Sequence, residues 1–118
     1  MIRCLKIPLT LGSAILVITC FLGSCSKNNS SKAMVVRQQH WLMKADSCEE
    51  LSFANLTTNP VRARQLALEG LDFARESQNS LSEARLTRLL GSSYSMLGQY
   101  DLATEYLNKA GEMAALLK

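Results

Sequence analysis

Apolar residues recur at steps of three and four along the second half of the chain. In the last segment Ala103, Tyr106, Leu107, Ala110, Met113, Ala114 and Leu117 form one stripe, and Ala63, Leu66, Ala67, Gly70 and Ala74 form another. These steps are those of an amphipathic α-helix, and no run of Val, Ile, Thr and aromatic residues alternates at period two, so an all-α domain is expected. The two stripes superpose at an offset of forty residues: Ala63 on Ala103, Leu66 on Tyr106, Ala67 on Leu107, Gly70 on Ala110 and Ala74 on Ala114. An internal repeat is the simplest source of such a match.

Polar punctuation divides the pattern into four helices. In Thr58-Asn59-Pro60, Asn59 is suited to cap a helix and Pro60 to occupy its first position. Ser80-Leu81-Ser82-Glu83 has the spacing of a capping box, in which the Ser80 hydroxyl and Glu83 carboxylate each satisfy a free backbone N–H. Gly98 is suited to a left-handed helix stop. Helices are expected over 35–57, 60–77, 81–97 and 100–117, paired as antiparallel helix-turn-helix units, about two repeats in all. Gly91 inside the third helix would cost roughly 1 kcal/mol against Ala unless another helix approached closely, so it reads as a packing position. Tyr94 and Tyr100 read as residues packing between helices.

Leu90-Gly91, Tyr94, Gly98, Tyr100, Ala103, Leu107 and Ala110 stand at the steps of the tetratricopeptide consensus, and Ala84 to Leu117 resembles one such repeat, a helix-turn-helix of about 34 residues. Thr87 replaces a bulky apolar residue, Leu107 an aromatic one, and the terminal Pro is missing. The preceding unit, 44–83, is degenerate: Leu51 stands where the forty-residue offset puts the Gly, and Pro60, Ala63, Ala67, Gly70 and Ala74 keep the second-helix pattern.

The amino-terminal segment has a different composition. Arg3 and Lys6 precede a nearly unbroken apolar run from Ile7 to Leu22, then Gly23, Ser24 and Cys25. That is the layout of a secretory signal, and the run is shorter than the roughly 20 residues a spanning helix prefers. A short uncleaved anchor is the alternative. Leu22-Gly23-Ser24-Cys25 resembles the lipobox of bacterial lipoproteins, which implies that residues 1–24 are a signal peptide and that Cys25 is acylated and becomes the mature amino terminus. Two or three acyl chains give stable membrane anchoring. Residues 25–34 read as a flexible polar tether, and 35–118 as the helical domain. No acidic residue stands just after Cys25, where Ser26 and Lys27 follow, which in the bacterial sorting scheme favours the outer membrane over the inner.

The chain carries 13 basic and 10 acidic residues; without Arg3 and Lys6 the balance is 11 to 10, which argues against nucleic acid as a partner. Cys48 is the one cysteine after Cys25, so no disulfide framework is expected, and it reads as a small buried residue. His40 has no metal-ligand or triad spacing around it. Asp46, Glu49, Glu50, Asp72, Glu76, Glu83, Asp101, Glu105 and Glu112 sit where polar helix faces should be. No phosphate loop, paired Cys motif or nucleophile motif occurs, so neither enzyme activity nor a cofactor or metal is expected.

The resemblance implies a concave groove lined by the first helix of each repeat. It assigns Arg85, Arg88, Ser92 and Ser95 to that face, with Ser52 and Asn55 from the weaker repeat, and implies a protein or peptide partner there. The apolar end of the last helix, Met113, Leu116 and Leu117, is expected to pair with another copy of the chain or with a partner. Two arginines on one face are suited to carboxylates. The expected function is a lipid-anchored, non-catalytic protein-interaction module of the bacterial cell envelope, facing the periplasm. The alternative is the truncated amino-terminal sensor region of a longer signalling protein, a histidine kinase or transcription regulator, with residues 7–22 as membrane anchor.

Overall fold

The structure, a computed structural model, describes the backbone from residue 10 to residue 118 and the side chains from residue 30 onward. Its elements are α1 (Thr10–Asn55), α2 (Pro60–Glu76), α3 (Ser80–Met96) and α4 (Tyr100–Leu116), and no strand occurs among the described residues. The fold is all-α, an antiparallel helix-hairpin repeat of about two units. The chain divides into two compact units, Met1–Val36 and Arg37–Lys118. In the first, the described backbone is helical, and the side chains of residues 30–36 are exposed. Residues 1–9 of the expected export segment, 1–24, and the side chains of residues 10–29, that of Cys25 included, lie outside the described residues. The backbone of residues 25–34, the expected flexible tether, is helical in the structure; Ser26 to Ala33 contains neither Pro nor Gly to interrupt a helix.

The helix ends follow local chemistry. Asn59 accepts a hydrogen bond from the Arg62 N–H at 3.1 Å, and Pro60 opens α2, as its fixed φ and missing N–H allow. At α3 the cap differs from the expected box. Asn79, one residue earlier, accepts from the Ser82 N–H at 2.9 Å, and the Glu83 carboxylate takes Arg75 Nε at 3.2 Å instead of turning back to the helix start. An Asn oxygen caps as well as a Ser hydroxyl, and a charged donor is the stronger draw for the carboxylate. Gly98 has φ +79°, the left-handed stop, and Gln78 has φ 56° at the same place in the preceding turn.

In the second unit α3 is the central helix. Leu86, Leu89 and Leu90 are fully buried against Ala45, Ala67, Leu71 and Ala74, each worth about 1.5–3 kcal/mol of transfer free energy. Two glycines permit the close approaches. A β-carbon on Gly70 would stand 2.8 Å from Cys48 Cβ and 2.8 Å from Leu86 Cδ2, and one on Gly91 would stand 2.8 Å from Leu107 Cγ. Tyr94 stacks on Tyr106 with ring centroids 5.4 Å apart, between α3 and α4. Tyr100, expected to pack likewise, is 67% exposed, because it opens α4 at the tip of the hairpin. Thr87 fills its buried site by donating its hydroxyl to the Glu83 carbonyl at 2.7 Å.

The two hairpins are not related by one offset. The turn between α1 and α2 has four residues, Leu56–Asn59, and the turn between α3 and α4 has three, Leu97–Gln99. By their ends the first helices would correspond at forty-one residues, Asn55 on Met96, and the second at forty. By their contacts with the second helices the first helices correspond at thirty-nine, since Ser52 donates to the Ala63 carbonyl of α2 while Gly91 adjoins the Leu107 backbone nitrogen, one turn beyond Ala103, on α4. That shift places Ala45 on Ala84, Cys48 on Thr87 and Ser52 on Gly91, and all six are buried. The first hairpin thus keeps a small residue, Ser52, where the second has Gly91; Leu51, which the uniform offset put there, is exposed.

Candidate functional site

A groove of about 490 Å³ runs between α1 and α3, lined by Glu49, Glu50, Phe53, Arg88 and Leu89. A polar recess of about 260 Å³ between the same helices is lined by Asp46, Glu49, Glu50 and Arg85. The thirty-nine-residue correspondence explains the charge pattern: Asp46 and Glu49 occupy on α1 the helix positions that Arg85 and Arg88 occupy on α3. One wall is acidic and the other basic. Arg85 Nη1 lies 4.0 Å from Glu49 Oε2, and with half of the Arg85 side chain in solvent the pair adds about 0–1 kcal/mol, which a ligand can displace. Phe53 is 64% exposed in this setting, a large apolar side chain that the fold leaves uncovered.

The residues expected on this face fall into three groups. Arg85 and Arg88 are exposed and line the α1–α3 space. Ser92 and Ser95 are half-buried on α3. Ser52 does not belong: it is 0% exposed, and its hydroxyl donates to the Ala63 carbonyl on α2 at 2.8 Å, so it ties the hairpin together and offers nothing to a partner. Asn55, half-buried, donates its side-chain amide to the Leu51 carbonyl of its own helix at 2.8 Å. Both were placed by the uniform offset, which is one residue out on the first helix. The acidic wall and Phe53 escaped that reading; the small residues Ser52 and Gly91, thirty-nine apart, were the signal that would have paired Asp46 with Arg85 and Glu49 with Arg88.

A second opening, about 460 Å³, lies between α1 and α2 and includes His40, Met43, Lys44, Leu51 and Phe73. Trp41 stacks on Phe73 at 5.6 Å, with Lys44 Nζ 5.1 Å from the Trp41 ring centre, and His40 is exposed beside Trp41. Cys48 lies at its floor. Burial raises the Cys48 thiol above its ordinary value, the Glu69 carboxylate adds to that, and Arg62 opposes it. A thiol so held is protonated and unreactive at neutral pH. Among the described residues no group of three or more His, Cys, Asp and Glu side chains is placed to hold a metal ion, and no helix is long and apolar enough to cross a membrane.

Comparison with models of protein families, with curated proteins and with solved structures finds no match to this chain.

Proposed function

We propose that this chain is a non-catalytic protein-interaction module of the bacterial cell envelope, a lipoprotein held by acylated Cys25, whose hairpins are of the tetratricopeptide kind. The observation that carries the reading is the α1–α3 groove, where exposed Phe53 lies between an acidic wall, Glu49 and Glu50, and a basic one, Arg88. Such a groove suits a peptide segment that lays an apolar side chain on Phe53 and presents a carboxylate to Arg88 and a cation to Glu50. Apolar contact supplies affinity, and the two walls fix direction and register. Anchoring rests on Leu22-Gly23-Ser24-Cys25 and favours the outer membrane, the domain facing the periplasm.

Two experiments in the native host test the two halves. Fatty-acid label should enter the mature chain through Cys25 and vanish in Cys25→Ser; label persisting in that variant contradicts the lipoprotein reading. In detergent extracts, proteins that co-purify with the parent should be lost from Phe53→Ala and Arg88→Glu but retained by Gln65→Ala on the exposed side of α2. Equal recovery with all three variants contradicts the groove.

A further inference from the structure

The second unit has an open face at each end of its stack of hairpins. At one end α3 and α4 leave a groove of about 280 Å³, whose lining includes Ala84, Arg85, Arg88, Leu107, Ala110 and Ala114. At the other end one face of α1 carries Met43, Asp46, Ser47, Glu50 and Leu51, all exposed, with Met43 at 69% and Leu51 at 52%.

The groove repeats a slot that is already filled. α3 lies in the angle between α1 and α2, where Leu86, Leu89 and Leu90 cluster with Ala45, Ala67 and Ala74, and Leu86 Cδ2 stands 2.8 Å from the place of a β-carbon on Gly70. The correspondence of thirty-nine residues for first helices and forty for second helices moves Ala45, Ala67, Gly70 and Ala74 to Ala84, Leu107, Ala110 and Ala114, all in the lining of the open groove. It also moves Arg85, Leu86, Leu89 and Leu90 of the inserted helix back to Asp46, Ser47, Glu50 and Leu51, which lie on the exposed face of α1. One end of the unit thus has the receptor, and the other end has the helix that occupies the matching place.

The charges at these places all change sign. In the filled slot the walls offer Asp46, Glu49 and Glu50, and the inserted helix answers with Arg85, 4.0 Å from Glu49. In the open groove the walls offer Arg85 and Arg88, and the α1 face offers Asp46 and Glu50. Asp46 would meet Arg88 as Arg85 meets Glu49. Glu50, in the place of Leu89, would lie beside the same arginine. Sizes also compensate, because Ser47 replaces Leu86 where Ala110 replaces Gly70. Leu51 keeps the apolar contact of Leu90.

We infer that α1 of a second copy of this chain seats in the α3–α4 groove, parallel to α3, so that chains stack head to tail. The contact is heterologous, with two different patches at opposite ends of the unit. Neither patch has to serve twice: on α1, Ala45 and Glu49, which face α3, lie across the helix axis from Met43, Ser47 and Leu51. Such a contact leaves an open end on each copy and propagates. It does not rest on peptide binding in the α1–α3 groove. Arg88 and Glu50 border both surfaces, but Asp46 belongs to the stacking face and Phe53 to the peptide groove.

Paired thiols in the purified full chain, in detergent, test the stacking. A chain with both Ser47→Cys and Ala110→Cys should link under mild oxidation into a ladder of dimers, trimers and longer species. Either substitution alone should stay at the parent background, and a mixture of the two single variants should give a dimer. Adding Asp46→Arg should slow linking by about tenfold or more, since like charges then meet, and adding Arg88→Asp with it should restore the rate. Phe53→Ala should leave linking unchanged, which separates failure here from failure of the peptide groove. Linking at the parent background, linking as fast in one single variant as in the mixture, or a rate indifferent to the charge variants overturns the stacking. Sedimentation without introduced thiols guards against a fold disturbed at Ala110. The parent should grow with concentration and Asp46→Arg should not; a parent that stays monomeric overturns the inference as well.

Discussion

Leu86 Cδ2 lies 2.8 Å from where a β-carbon would stand on Gly70, and Cys48 Cβ lies at the same 2.8 Å from another side. Three helices meet at that one missing side chain. The Leu86 methyl can swing away, but Cys48 Cβ is fixed to the α1 backbone, so an added methyl must push helices apart. Gly70→Ala should lower stability by about 1–3 kcal/mol despite the better helix propensity of Ala. Gln65→Ala, exposed on the same helix, should stay within about 0.5 kcal/mol of the parent. Thermal or denaturant melts decide it.

Gly91 makes the corresponding contact in the second hairpin, with Leu107 Cγ at 2.8 Å and the Leu107 backbone nitrogen at 3.1 Å from the would-be β-carbon. A backbone atom cannot swing aside, so Gly91→Leu should cost about 1–3 kcal/mol or more. Gln99→Leu, at a helix start where the side chain makes no capping bond, should melt close to the parent.

The two three-residue turns use the same left-handed position with different residues. Gln78, at φ 56°, bears a strain that Gly98, at φ 79°, does not. Gln78→Gly should raise stability by up to about 1 kcal/mol, net of the 3.2 Å bond its side chain accepts from Gln38, and Gly98→Ala should lower it by about 1 kcal/mol.

Cys48 gives the fold a dependence on alkaline pH. Burial, with Glu69 adding, holds its folded pKa above the ordinary 9.0, so the unfolded chain releases the proton first. The contribution is therefore fully present below pH 9.0 and is lost as pH rises through the folded value. Stability of the parent should fall more steeply above pH 9 than that of Cys48→Ala, and equal slopes would contradict the assignment.

The helices, their order and the roles of Asn59, Pro60, Gly91 and Gly98 were legible because each depends on residues close in sequence: apolar spacing, a capping oxygen, a missing β-carbon. The groove was legible on its α3 side, through Arg85 and Arg88, and not on its α1 side. The contacts of α1 with α2 pair it with α3 at thirty-nine residues, one residue and about 100° around the helix axis from the offset of the second helices, which sets Ser52 inward and leaves Phe53 at the surface. Stripe matching at a single offset is blind to such a shift, because the stripes compared were those of the second helices and fix no register for the first. The capping of α3 by Asn79 was hidden for a related reason, since two adjacent residues, Asn79 and Ser80, both carry suitable oxygens.

The interaction module is tested most directly by placing a photo-reactive amino acid at position 53 and irradiating intact cells of the native host. A discrete cross-link to a protein partner is expected at Phe53, lost when Arg88→Glu is added, and missing when the same reagent stands at Gln65. Cross-linking at Phe53 no different from that at Gln65, or indifferent to Arg88→Glu, would contradict the α1–α3 groove as the binding site.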